Sequence, residues 1–460
     1  MAVAVSRAMS GPQTSAGKRN AETMANITTS GPAVEAASAT GQTSRSYAGP
    51  LSIVTTLFFM WGFLTCLNDI LIPHLKSIFD LNYVRTMLIQ FSFFGSYFLF
   101  SIPSAKLIDW IGYQRSMVVG LLTMGVGAFL FVPAASVPSY PLFLGALIVL
   151  AAGITCLQVA ANPYVTVLGK PETASSRLNL TQAFNSLGTF LAPFFGGLLI
   201  LSAAPKAISE IRALAPDALQ AYRLHEAATV KTPYVGLGIA LVLLAIAIGS
   251  FRLPSIEHAQ HKVGEKVNDS IWKHANLIFG AIAIFVYVGG EVSIGSFLVN
   301  YFSQPEIGGL TERVAASFVA FYWGGAMVGR FIGSGLLQKV STRRLLGICA
   351  VCAASLVAIS MLSTGHAAMY SIILVGFFNS IMFPSIFTLG VAELGPLTGD
   401  GSGIMIMAIV GGAIIPVAQG WFADHIGIHH AFFVPVICYL YILFFALSGS
   451  KPNSERLAKS

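Results

Sequence analysis

"FFMWGFLTCLNDILIPHLKSIF", Phe58–Phe79, is apolar almost throughout, yet it carries an aspartate, Asp69. A run of about 20 apolar residues is long enough to cross a bilayer as a helix. An acid inside such a run is costly, and intramembrane ionisable residues usually mark the path of an ion or a substrate. The rest of the chain supports a membrane setting. Of 460 residues, 55% are hydrophobic and only 10% are charged, against about 25% charged in soluble domains. So few charges cannot cover a water-facing surface, which argues against a large soluble protein. The net charge of +7 fits the cytoplasmic loops of a membrane protein, where Lys and Arg accumulate. No run of Lys/Arg interleaved with aromatics points to nucleic acid.

Twelve apolar segments follow one another, at 51–77, 86–108, 116–136, 141–167, 179–203, 232–252, 273–302, 314–338, 344–363, 367–391, 401–424 and 429–449. Gly, Pro or charge separates them. In lipid each backbone group must find its partner inside its own segment, so these are expected to be helices; the alternation of a β-barrel is absent. The class is therefore all-α integral membrane. With the N-terminus in the cytoplasm, eighteen Lys/Arg fall inside and seven outside, with Arg330 within span 8. That asymmetry places both termini in the cytoplasm. Residues 1–48, rich in Ser, Ala, Thr and Gly, lack the apolar core of a signal peptide and read as a disordered cytoplasmic tail. The charged stretch 254–272 reads as a cytoplasmic linker between one six-helix bundle at 49–253 and a second at 273–449, with a short tail at 450–460.

The halves share spacings. Pro163 stands six residues before Gly169 in span 4, as Pro384 does before Gly390 in span 10. Gly188, Pro193 and Gly197 in span 5 match the intervals of Gly411, Pro416 and Gly420 in span 11. Two concordant offsets favour a parallel repeat with a binding site near the midplane between the bundles.

Two acids lie well inside apolar surroundings, Asp69 in span 1 and Glu291 in span 7. A carboxylate removed from water can take up a proton on one side and release it on the other. Amides form a second pattern. Gln158 and Asn162 in span 4 are spaced i, i+4 and share a face; Asn179, Gln182 and Asn185 in span 5, spaced by three, are expected to share one too. Asn68, Gln90, Asn300 and Asn379 add to them. An amide offers donor and acceptor together and can bridge adjacent hydroxyls of a polyol. Trp61, Phe93, Tyr287, Tyr322 and Trp323 supply flat apolar faces for such a ligand. Amides also serve as interhelical bonds in membranes, and both readings stand at this point. The five cysteines lie in apolar stretches and read as packing residues, with no second Cys/His pair beside Cys349-Ala-Val-Cys352 to make a metal site. No nucleophile–base pair is visible within the spans, so an enzyme is not expected.

"SAKLIDWIGYQRS" after span 2 resembles a degraded loop motif of the major facilitator superfamily, with Asp109, Gly112 and Arg115 in gating positions and Ala105 where the motif has Gly. Taken together, "LNDILIPHLKSIF", "LQVAANPYVTVLG", "RLNLTQAFNSLG", "VGGEVSIGSFLVNYF" and "MFPSIFTLGVAELG" resemble the fucose–galactose–glucose:H⁺ symporter family of that superfamily, over about residues 50–448. The resemblance implies a major facilitator fold of 12 transmembrane helices in two six-helix bundles and sugar uptake by alternating access. It implies proton coupling and sugar recognition for Asp69 and sugar contacts for Gln182 and Asn185. Gln158 stands where the fucose branch has a glutamate, and Glu291 where that branch has a glutamine. One acid has thus changed bundle, and Glu291 with Asp69 is expected to serve coupling.

The branch resembled is that of glucose and galactose. The expectation is a hexose symporter of the inner membrane, a functional monomer without a resident cofactor or metal. Gln158, Asn162, Gln182 and Asn185 would hold sugar from one side, and Glu291, Asn300, Tyr322 and Asn379 from the other. Carboxylates and amides also suit a hard cation, so proton and sodium both remain as coupling ions. An N-acetylglucosamine or fucose permease, and a non-transporting sugar receptor, are the alternatives.

Overall fold

Helix α1 (Ala48–Phe79) takes in the whole opening stretch and runs on through Pro73. A computed structural model of the chain describes residues 48–79, 83–137, 139–199, 214–254, 270–452 and 454, without the side chains of 66–78, 83–88, 90, 193–199, 227 and 312–313. The expected tail at 1–48, most of the linker at 254–272, and the side chains of Asp69, Asn68 and Gln90 therefore lie outside the described residues. Tyr47–Ser460 forms a single unit.

Helix α2 (Tyr83–Ser136) holds two of the expected spans, divided at Gly112 with φ 81° and ψ 169°. Glycine takes this left-handed conformation without a Cβ clash, so one residue replaces the loop that separated spans 2 and 3 in the sequence. Ser104 and Ser116, on either side of it, both meet Cys156 of α3 (Tyr140–Val167). The chain therefore doubles back between them. Helix α4 (Ala174–Leu199) follows, then α5 (Pro216–Thr229), a short helix where only an outer loop was expected, and α6 (Lys231–Ser250).

The second half holds α7 (Ala275–Phe302), α8 (Glu312–Leu336) and α9 (Thr342–Leu362). Span 10 is split into α10 (Gly365–Asn379) and α11 (Met382–Gly390). Span 11 is split into α12 (Thr398–Met407) and α13 (Gly411–Ile426), and span 12 into α14 (Ile428–Ala431) and α15 (Phe433–Phe444). Ten described segments are long and apolar enough to cross a membrane. The α2 segment contains two crossings. Helix α4, diluted by Asn179, Thr181, Gln182 and Asn185, makes a further one, and the arrangement of twelve is complete.

The intervals shared by the halves have a structural cause. A Cβ on Gly188 of α4 would stand 2.3 Å from the carbonyl oxygen of Phe59 in α1. A Cβ on Gly411 of α13 would stand 2.0 Å from that of Phe285 in α7. Each glycine lets span 5 or span 11 lie against span 1 or span 7 at backbone distance, the close approach that small residues permit in membranes. The matched prolines also act alike. A proline has no N–H for the carbonyl four residues earlier. Pro163 thus frees Val159 O, which accepts from Ser402 Oγ at 2.8 Å. Pro384 frees Ser380 O, which accepts from Arg330 Nε at 3.3 Å, and the break between α10 and α11 falls at this point.

Candidate functional site

In the first half, Gln158 and Asn162 stand on α3 and are almost fully buried. Gln158 Nε2 donates to the Tyr97 hydroxyl of α2 at 2.7 Å. Asn162 Oδ1 accepts from Gln182 Nε2 of α4 at 3.4 Å. Asn162 Nδ2 is buried and has no partner among the described residues. A buried polar atom left unpaired is costly, and the second half holds one as well, Asn379 Oδ1. Phe93 packs edge-on against Tyr97, with ring centroids 5.6 Å apart, and Trp61 lies against Phe58 at 4.5 Å.

The three amides of α4 do not share a face. Residues three apart on a helix are offset by about 60°, so Asn179, Gln182 and Asn185 fan out to three neighbours. Asn179 Nδ2 donates across to Arg330 O of α8 at 2.6 Å. Gln182 turns to Asn162. Asn185 Nδ2 donates to Phe58 O of α1 at 2.9 Å, beside the close approach at Gly62.

In the second half, Glu291, Tyr322 and Asn379 come together with Tyr287. Tyr287 donates its hydroxyl proton to Glu291 Oε1 at 2.8 Å, with Asn379 O an alternative acceptor at 3.1 Å. Asn379 Nδ2 donates to the Tyr322 hydroxyl at 2.8 Å, which in turn donates to Glu291 O at 3.4 Å. Tyr439 of α15 lies beside Glu291 and Asn379. All five side chains are buried. Asn300 is not part of this group: it stands exposed near the end of α7.

Arg330 connects the two clusters. Its Nη1 donates to Ser186 Oγ of α4, one helical turn beyond Gln182, while its Nε holds Ser380 O. Its charge acts on Glu291. In the sequence Arg330 is a lone cation within span 8, and nothing there shows which groups it meets. Tyr97 and Tyr439 carried no signal, because one tyrosine in an apolar run looks like packing.

Further bonds close one end of the molecule. Ser175 Oγ lies 2.6 Å from Thr388 Oγ1 and accepts from Thr342 Oγ1 at 2.9 Å. Ser176 Oγ donates to Ser334 O at 2.6 Å. Lys106 Nζ lies 2.9 Å from Asp400 Oδ1 and 3.7 Å from Asp109 Oδ2. The Asp109 carboxylate also stands beside Gly399, at the start of α12, where a negative charge meets the helix N-terminus favourably. Arg115 points elsewhere: it is exposed and lines a separate cleft. The contacts of Ser175, Ser176, Lys106 and Asp109 gather at the end that carries the connections around 168–177 and 337–342.

Two six-helix halves, a polar cluster within each and one sealed end are the features of a transporter that works by rocking one half against the other. The chain belongs to the Major Facilitator Superfamily, whose family model matches residues 53–409. It is 54% identical over 407 residues to a glucose/galactose transporter of Brucella abortus, covering 88% of this chain and 95% of that one. It is 35% identical over 410 residues to an L-fucose-proton symporter of Escherichia coli, covering 88% and 93%. Its structure matches the crystal structure of a Major Facilitator Superfamily transporter, FucP, in the outward conformation, with a TM-score of 0.82, 34% identity, and coverage of 88% of this chain and 100% of that one.

Proposed function

We propose that the chain imports a hexose, glucose or galactose, together with a proton, across the inner membrane of a bacterium, with both termini in the cytoplasm. The observation that carries this reading is the division of labour about Arg330. On one side lies a cluster of neutral amides, and on the other a buried carboxylate held by tyrosine. The Asn162 donor and the Gln158 and Gln182 amides suit sugar hydroxyls. Glu291 suits the uptake and release of the coupling proton, with Asp69 of span 1 loading it. Taking up a proton on Glu291 removes the charge that Arg330 faces, and Arg330 ties α8 to α4. Coupling needs only that sugar affinity differ between the two protonation states. The closed end corresponds to a state that receives sugar from outside. Similarity to a glucose/galactose transporter and to an L-fucose-proton symporter supports both the sugar and the proton.

The test is uptake of labelled glucose into liposomes holding the purified protein, under an imposed proton gradient and, separately, an imposed sodium gradient. Galactose, fucose and N-acetylglucosamine serve as competitors. Accumulation driven by protons and blocked by galactose is the expected outcome. Accumulation driven by sodium alone, or blocked only by N-acetylglucosamine, would replace the ion or the sugar. Sugar binding without uptake would make the protein a receptor.

A further inference from the structure

A cleft of about 410 Å³ opens on the first half, at the same end as the closing contacts but away from the sugar path. It lies between the part of α2 that follows Gly112 and the end of α6. Gln114 fixes its wall: its Nε2 donates to Ile248 O at 2.8 Å and Phe251 O at 2.5 Å, satisfying carbonyls that a helix end leaves open. Arg115 and Arg252 line the cleft and are both exposed. Among the described residues neither has a hydrogen-bond or ion-pair partner.

The apolar lining, Val118 and Phe251, continues onto a bare wall. Helices α2 and α6 pack together through Gly125 against Val242 and Gly238 against Phe129. Beside that seam Leu122 and Val126 of α2 and Leu243 and Ile246 of α6 remain exposed. A basic cleft thus leads directly into lipid-facing surface. A guanidinium pair is suited to a phosphate, which each arginine can grip with two parallel N–H donors, and basic pockets between membrane helices take anionic headgroups.

We propose that this cleft seats an anionic phospholipid, its phosphate between Arg115 and Arg252 and its acyl chains along the exposed wall of α2 and α6. A soluble phosphate would meet the arginines equally well but would leave the apolar wall without a partner, so the lipid is the occupant the surface fits.

The experiment places the full chain in nanodiscs of phosphatidylcholine mixed with phosphatidylglycerol and reads the lipid retained on transfer to detergent by native mass spectrometry. Wild-type protein is expected to retain phosphatidylglycerol preferentially. Each arginine near the surface adds about fivefold to that preference, so R115Q/R252Q should lower it roughly thirtyfold. K339Q/R344Q removes two exposed cations at the same end but outside the cleft, and it should keep the preference. Equal retention of both lipids by the wild type would overturn the proposal. So would an unchanged preference in R115Q/R252Q, or an equal loss in K339Q/R344Q. Displacement of phosphatidylglycerol by millimolar inorganic phosphate would also overturn it, assigning the arginines to a soluble anion instead.

Discussion

The two halves of the molecule share a skeleton and differ in chemistry. In each, a glycine of the fifth span of the half lies against a carbonyl of the first, Gly188 on Phe59 O and Gly411 on Phe285 O. In each, a matched proline frees one carbonyl, Val159 O or Ser380 O, and a side chain of the second half takes it. The site residues follow no such rule. Among the described side chains, the first half places neutral amides with Tyr97, while the second places an acid among tyrosines. Backbone approach and proline breaks are demands of the fold and repeat with it. The polar groups are under no such demand from the backbone, and they differ between the halves.

The largest effect expected is at the glycines. Gly188→Leu and Gly411→Leu each force a side chain into a carbonyl, and each should destabilise the protein by about 3 kcal/mol or more, read as loss of the folded fraction in detergent. A normal melting temperature in one variant and not the other would end the equivalence of the two contacts. Next come the amides. Gln158→Ala and Gln182→Ala should weaken sugar binding by roughly 10- to 100-fold, the cost of about 1–3 kcal/mol for stranding a buried partner. Tyr322→Phe leaves Asn379 without its acceptor in the second half. It should lower the melting temperature while changing sugar affinity by less than about threefold; an affinity loss as large as that of Gln158→Ala would extend the sugar site across both halves. Smallest is Ser402→Ala. It removes one bond between the halves, worth about 1 kcal/mol, and should raise the population open at the closed end about fivefold, measured by cysteine labelling near Ser176. No change in labelling would show that Ser402 does not help hold that end shut.

Much of this was legible in the sequence, for physical reasons. Span count follows from apolar length, which the bilayer dictates. The intervals at Gly188 and Gly411 and at Pro163 and Pro384 could be read because glycine and proline act through the backbone alone. The acid and amides stood out because such groups are rare in apolar runs. Other features were hidden. The turn between spans 2 and 3 rests on a single residue, Gly112, in a stretch whose charges read as a loop. Spacing by three made Asn179, Gln182 and Asn185 look aligned, yet the 60° offset sends them to three helices. Tyr97 became a site residue only when folding brought it to Gln158, 61 positions away in sequence. The bond between Asn379 and Tyr322, 57 positions apart, is hidden for the same reason.

If Glu291 carries the coupling proton while the amides of the first half hold the sugar, the two functions are separable at Glu291. Glu291→Gln tests this most directly, in liposomes that report both gradient-driven accumulation and sugar exchange at zero gradient. Accumulation should fall about tenfold or more while exchange and sugar affinity stay near the wild-type values. Full accumulation by Glu291→Gln, or loss of exchange together with accumulation, would contradict that separation.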